Sequence, residues 1–417
     1  MRARLPAVAA VTLLAAVYSS HATEAGQAPA NDWPQLLGPD RNGAVGVQIA
    51  AWPADGPAIR WRRPVGEGFA GPAVVGSKLI LFHRVDDQEV VEALDTATGE
   101  PLWSTGHPTT YRDDFGFDEG PRATPTVVKD RVFTFGAQGV LQALDVSDGS
   151  RLWSVDTHAE FDVRKGFFGA ASSPLVHDGI VMVNVGGRGN AGIVAFDSAT
   201  GAVLWTATDH QASYSGPTIT TINGRAAALF FTRAGLVAIE PEDGTVVAEF
   251  PWRSRQGSSV NAATPLAIGR RIFISASYGT GAALLDVRGS SFVPVWTSDD
   301  VLTNHYATSV YADGYLYGYH GRQEYSPALR AVDLETGRVA WNEDRFGGGT
   351  VILAGDDLLI LRERGELILA AATPESFRPR ARARILGGIV RAYPALAGGV
   401  LYARNQRELV AVELPQR

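Results

Sequence analysis

The chain has no cysteine and only two methionines among its 417 residues. No disulfide can brace the fold and no lipidated cysteine can anchor it, so stability must come from burial and from closure of the chain on itself. Beyond the N-terminus no apolar run is long enough to cross a bilayer. Helical periodicity is nearly missing from residue 32 onward. There is no Gly-x-Ser-x-Gly elbow, no His-Glu-x-x-His pair and no Walker loop. The glycine-rich stretch 186–192 joins two strand-like runs and precedes no helix, which argues against a phosphate loop. A formal net charge of −7 speaks against nucleic acid or an anionic membrane as partner.

What the chain does have is a repeat. Ala-x-Asp-x-x-(Thr/Asp)-Gly-x-x-x-Trp recurs at 93–103, 143–153, 195–205 and 331–341. Trp103, Trp153, Trp205, Trp296 and Trp341 mark a period of about 40 to 50 residues once a degenerate copy ending near Phe250 is counted. Between these motifs lie short runs rich in β-branched and aromatic residues, broken by Gly, Asp and Asn, as in strands and hairpins. The Asp can accept backbone amides two residues on, and the Gly supplies a left-handed turn. Asp95, Asp145, Asp197, Asp286 and Asp333 are therefore expected as turn formers joining a third strand to a fourth.

Four strands per unit make a propeller blade, and eight small-residue signals mark innermost strands, from Gly71-Pro72 to Tyr393-Pro394. The expected fold is all-β: an eight-bladed β-propeller of four-stranded antiparallel blades. A seven-bladed ring is the alternative, because the units near 240–250, 286–296 and 371–383 are degenerate. The last unit stops without a Trp strand, and an orphan, Ala58–Pro64 containing Trp61, stands upstream of the first. This N-terminal strand is expected to complete the last blade and remove the open edge. Trp61, Trp103, Trp153, Trp205, Trp296 and Trp341 are expected to dock neighbouring blades.

Residues 1–22 combine a basic start, an apolar stretch and small residues at Ser20 and Ala22, as in a cleaved signal peptide. Residues 23–31 read as a disordered linker and 32–417 as one propeller. The expected location is periplasmic or secreted, in a bacterium, without a lipid anchor and without a transmembrane segment after signal removal. A monomer is expected.

The Trp repeat resembles the tryptophan-docking repeat of quinoprotein-type propellers, and Asp-Trp-Pro-Gln-Leu-Leu-Gly-Pro-Asp-Arg-Asn-Gly (32–43) is similar to the opening of the PQQ-like β-propeller repeat proteins. The superfamily includes PQQ-dependent alcohol dehydrogenases and the propeller lipoprotein of the outer-membrane β-barrel assembly machine. The dehydrogenases hold PQQ and Ca²⁺ over the channel, commonly with a pair of adjacent cysteines, which this chain lacks. The resemblance implies two functions. One is a non-catalytic binding or scaffold module for an envelope protein or extracytoplasmic ligand, with no cofactor. The other is a PQQ- and Ca²⁺-dependent alcohol or sugar dehydrogenase.

Candidate site residues follow from propeller topology, which gathers the connections between blades on one face of the ring. Two long connections there, 104–122 and 154–172, carry Tyr111, Arg112, Phe115 and Phe117, then Phe161, Arg164, Lys165, Phe167 and Phe168. Arg84, Arg188, Arg233, Arg322, Arg364 and Arg404 fall near the second-to-third-strand turns, with Arg122, Arg255 and Arg391 nearby. They either ring the mouth as an anion site or pair with neighbouring acids. Arg122, Arg188, Asn190, Asn261, His305, Tyr306 and Arg322 are the ligand-binding candidates at the channel mouth. Asp113, Asp114, Asp118 and Glu119 form the most acidic loop, either a weak Ca²⁺ site or a solvated loop.

Overall fold

The computed structural model describes residues 31–254, 256–257 and 260–417. The signal-peptide and linker readings for residues 1–30, and Arg255, lie outside the described residues.

Eight antiparallel sheets follow one another along the chain. Blades 1 to 7 span 73–108, 126–156, 175–207, 218–251, 266–298, 310–343 and 349–384. Blade 8 takes three strands from 395–413 and its outermost strand, Ala58–Pro64, from the N-terminus. The eight-bladed ring is thus closed as the orphan strand predicts.

The docking geometry repeats around the ring. In every blade the outermost pairing slips by one residue just before the docking position. Such a bulge bends the strand and re-aims its side chain. Each indole Nε1 donates to a turn carbonyl of the next blade: Trp103 to Val146 and Trp153 to Ser198, both at 3.0 Å, Trp296 to Leu334 and Trp341 to Thr373, both at 2.8 Å. The ring covers the motif glycine of that blade. A Cβ on Gly149, whose φ is +74°, would stand 2.4 Å from Trp103 Cε3. The glycine is needed both for the left-handed turn and for this close approach.

Two units lack the Trp. The docking slot opposite Ala238 holds Ala248, and the slot opposite Leu369 holds Ala381. Phe250 lies two residues beyond its slot, so the degenerate copy ends in alanine. Four motif aspartates behave as turn formers, with Asp95, Asp145, Asp197 and Asp333 accepting amides two or three residues on. Asp286 does not. It lies within the strand Gly281–Arg288, its side chain is 4% exposed, and Arg270, Arg271 and Arg288 surround it. Its unit departs from the Asp-x-x-Thr-Gly pattern, and a buried carboxylate without turn amides needs cations instead.

The central channel is crossed by residues 32–49. Trp33 exchanges backbone hydrogen bonds with Val74 of blade 1, and Pro34 O accepts from Val127 N of blade 2. Arg41, 2% exposed, reaches blades 2, 3 and 4 through Thr126 Oγ1, Pro174 O and Pro217 O. Ala44–Val45 adds a parallel strand to the inner edge of blade 7. Burial pulls the Arg41 guanidinium down to about 9, so it stays protonated at neutral pH.

Between blades 8 and 1 lies a buried histidine that is expected to contribute to acid sensitivity. His83 Nδ1 accepts from Gly66 N at 2.9 Å, and its Nε2 stands 3.4 Å from Glu92 Oε2. Burial, then the charges of Arg404 and Arg63, push its pKa down to about 3. The folded state keeps it neutral while the unfolded chain takes a proton below about pH 6.5. Its contribution is therefore complete above pH 6.5 and is lost as pH falls toward 3, at about 1.4 kcal/mol per pH unit. The urea midpoint should fall between pH 7.5 and pH 4.5, and a His83→Gln variant should show a shallower fall. Equal pH slopes in the two proteins would remove His83 as the cause.

Candidate functional site

The connections between blades fold onto one another at one face. Blade 1's last strand runs to Pro108 and blade 2's to Asp156, so the free loops are 109–125 and 157–174, shorter than the sequence suggests. The second begins with a helical turn, Thr157–Glu160, capped by Asp156. A further long connection separates the strand ending at Pro251 from the one beginning at Leu266.

The two predicted loops meet in an aromatic cluster. Phe115 packs against Phe117, Phe167 and Phe168 with ring centroids 6.2, 6.2 and 5.2 Å apart, and Phe168 meets Tyr214 edge-on at 5.6 Å. Phe115 and Phe117 nevertheless remain 53% and 48% exposed. Cations frame the rings. Arg122 lies 5.6 Å over Phe168 and 5.8 Å over Tyr111, and Arg391 lies 5.6 Å over Phe117. Each contact of this type contributes about 0.5–1 kcal/mol at an exposed site. Tyr214 OH accepts from Phe168 N at 3.0 Å and Gln406 donates to Phe117 O at 2.8 Å, so the loops are held in place. The result is a pre-organised apolar patch with a cationic rim, and partly exposed aromatics of this kind act as interface anchors.

The other candidates divide by role. Arg122 belongs to the cluster, where it also donates to Asp118 O. Arg188 is exposed and pairs with Asp162 at 3.0 Å. Asn190 has a φ of +65° and bonds Asp209 and Thr206 within its own blade. Asn261 is 4% exposed and ties the connection after blade 4 to that blade's hairpin at Thr232 and to the connection before it at Tyr214 and Ser215. Tyr306 donates to Glu363 Oε1 at 2.9 Å, which also accepts from Arg391 at 3.0 Å. His305 and Arg322 both meet Tyr278, which sequence reasoning passes over.

The arginines form no open ring. Arg84 pairs with Asp87 and Glu119, Arg322 pairs with Glu324, and Arg404 is fully buried, donating to Gly66 O.

The acids of the 113–119 loop point apart. Asp113 accepts from Phe117 N, Asp114 meets Lys165, Asp118 accepts from Gly68 N and Gly120 N, and Glu119 faces Arg84 and Arg112. Among the described residues no three His, Asp or Glu side chains converge in a metal-binding geometry. A Ca²⁺–quinone pair requires several hard oxygen ligands facing an open channel mouth. Here the axis is crossed by residues 32–49, and the nearby charge is the Arg41 guanidinium. These residues do not fit that pair.

Eight four-stranded blades, six of them docked by Trp, define a propeller of the PQQ-like, tryptophan-docking type. A family model described as outer membrane protein assembly factor BamB matches residues 46–164 and 87–343, and the chain belongs to this family of PQQ-like repeat propellers. The chain is 30% identical over 158 residues to BamB of Shewanella oneidensis, covering 36% of each protein. It is 22% identical over 301 residues to BamB of Moranella endobia, covering 72% of this chain and 63% of that one. The matches thus span less than two thirds of these curated relatives. Quinohemoprotein alcohol dehydrogenase ADH-IIG of Pseudomonas putida matches 39% of the chain at 27% identity, over 23% of its own length. Among solved structures, BamB from Moraxella catarrhalis superposes with a TM-score of 0.62 at 15% identity, covering 85% of this chain and 97% of that one. This last likeness is one of fold. Among the described residues no helix is long and apolar enough to cross a membrane.

Proposed function

We propose that the chain is a non-catalytic, extracytoplasmic binding module that docks an envelope protein on the loop-rich face of its ring. The observation that carries this reading is the patch of Phe115, Phe117, Phe167 and Phe168 framed by Arg122 and Arg391. Rings held at fixed positions lose little entropy on binding. Relatives named as outer-membrane assembly factors support a partner from that machinery. No cofactor belongs to this reading, since the channel residues suit neither a quinone nor its metal.

The test uses the purified chain and purified outer-membrane assembly components from the same bacterium, with affinity read by calorimetry. Wild type should bind, and Phe115→Ser/Phe117→Ser should weaken binding by about tenfold or more at unchanged melting temperature. Unchanged affinity in the double variant would remove the patch as the docking surface. A saturable absorbance change with PQQ and Ca²⁺, together with dye-linked alcohol oxidation, would overturn the non-catalytic reading.

A further inference from the structure

Blades 4 and 5 carry a second concavity. The connection after Pro251 and the hairpin turn 277–280 enclose a cleft of about 520 Å³ lined by Trp252, Arg253, Ser254, Tyr278 and Thr280. That volume lies in the range of small-molecule sites. Its walls are fixed. Trp252 Nε1 donates to Gly281 O at 3.2 Å, and its ring stacks on Phe250 with centroids 5.6 Å apart. Ser254 Oγ donates to Tyr278 O at 3.0 Å, tying the connection to the hairpin.

Tyr278 is the unusual residue. Its φ is +67°, a left-handed conformation that bulky side chains avoid. Such strain persists only where the surroundings hold it. Here Tyr278 OH donates to His305 Nε2 at 2.7 Å, His305 is oriented by Gln323 through Nδ1, and the Arg322 guanidinium lies 4.5 Å over the ring. Burial lowers the His305 pKa, so the imidazole stays a neutral acceptor for the phenol. Three blades thus cooperate to hold one aromatic face against the cleft.

The charge at this site is uncompensated. Among the described residues no carboxylate lies within 4 Å of Arg253 or Arg233. Arg233, beyond the cleft lining, lies 5.2 Å over Phe167 and donates to Gly257 O, and desolvation followed by the charge of Arg253 lowers its proton affinity. Arg233 Nε and Thr280 Oγ1 are buried without a hydrogen-bond partner. An anion on Arg253 would offset that charge, since guanidinium favours carboxylate through paired hydrogen bonds. Two aromatic walls beside hydroxyl groups suit a hydroxylated ring rather than a bare anion.

We propose that this cleft binds a carboxylated sugar, with the carboxylate on Arg253 and the ring between Trp252 and Tyr278. Binding needs no transfer step and uses residues outside the Phe115 cluster, so the two proposals stand or fall separately.

The test titrates the intact chain with glucuronate, a galacturonate dimer, glucose, acetate and benzoate, following tryptophan fluorescence and calorimetry. Saturable binding of glucuronate or the dimer is expected, with glucose and acetate weaker by about tenfold or more. Preference for the monomer or the dimer distinguishes a free sugar acid from a glycan chain. Arg253→Gln should lose about tenfold in affinity at unchanged melting temperature. Tyr278→Gly should keep or raise the melting temperature, since it relieves the left-handed strain, and should still weaken binding. No saturable signal with either sugar acid up to about 10 mM, or equal affinity in Arg253→Gln, overturns the proposal. Binding of benzoate without glucuronate overturns it as well.

Discussion

Trp61→Ala is expected to lower stability by about 3 kcal/mol and to loosen the ring at one seam. Trp61 does what the other docking tryptophans do, but it stands on the one outermost strand of the eight that no hairpin joins to its own blade. Its strand, Ala58–Pro64, pairs with Glu408–Glu413, nearly the whole chain away. Its Nε1 donates to Thr96 O at 3.0 Å, its ring covers Gly99 of blade 1, and Tyr402 packs on it with centroids 5.9 Å apart. Removing the indole creates a gap between blades 8 and 1 and leaves the Thr96 carbonyl only the Tyr402 hydroxyl, at 3.3 Å, as donor. In the other blades a hairpin keeps the outermost strand on its sheet; in blade 8 only the ladder with Glu408–Glu413 and these docking contacts do. Hydrogen exchange should quicken in both 58–64 and 408–413, well beyond the effect of Trp205→Ala on its own blades. If exchange rises equally in the two variants, Trp61 has no special part in closure.

Arg41→Ala is the second large effect. The guanidinium donates to Gln35 Oε1 at 2.8 Å, to Pro217 O at 2.9 Å, to Thr126 Oγ1 at 3.0 Å and to Pro174 O. Its removal leaves these buried acceptors short of donors, at about 1–3 kcal/mol for each one left without a partner. Relaxation and water entry reduce the sum, and a loss of about 3–5 kcal/mol is expected, in line with breaking other buried charged networks. Arg41→Met should restore part of the packing and none of the hydrogen bonds, so it should recover only a minor share. The denaturation midpoint gives the magnitude, and proteolysis within residues 32–49 shows whether the channel segment has come loose. A Met variant as stable as wild type would mean that Arg41 acts by filling space alone.

Much of the fold is legible in the chain. Docking Trp and turn Gly recur at a fixed spacing because each blade must present the same hook to the next. The Asp of the motif reads correctly where Thr or Ser follows it, as at Asp95 and Asp145, since an Asx turn is local. Asp286 reads wrongly because its cations arrive from other turns. Asn190 and Asn261 look alike as polar loop residues, yet one is exposed on its own hairpin and the other is buried, holding two connections against blade 4. His305 points toward a site only through Tyr278, and nothing near position 278 in the sequence announces a strained tyrosine.

The loops tell the same story. Phe115 and Phe168 sit in connections that sequence alone marks as long and aromatic, but not as one cluster. The repeat by itself determined the blade and the six Trp docking positions, because these recur at short, regular separations; it favoured eight blades over seven, and the orphan Trp61 strand marked the closure. The three-dimensional ring decided the rest: the segment 32–49 across the channel, the meeting of two loops in one patch, and the cleft between blades 4 and 5. Those contacts join residues as far apart as Arg41 and Pro217. Closing the ring brings such distant residues together, and no local pattern in the chain encodes their meeting.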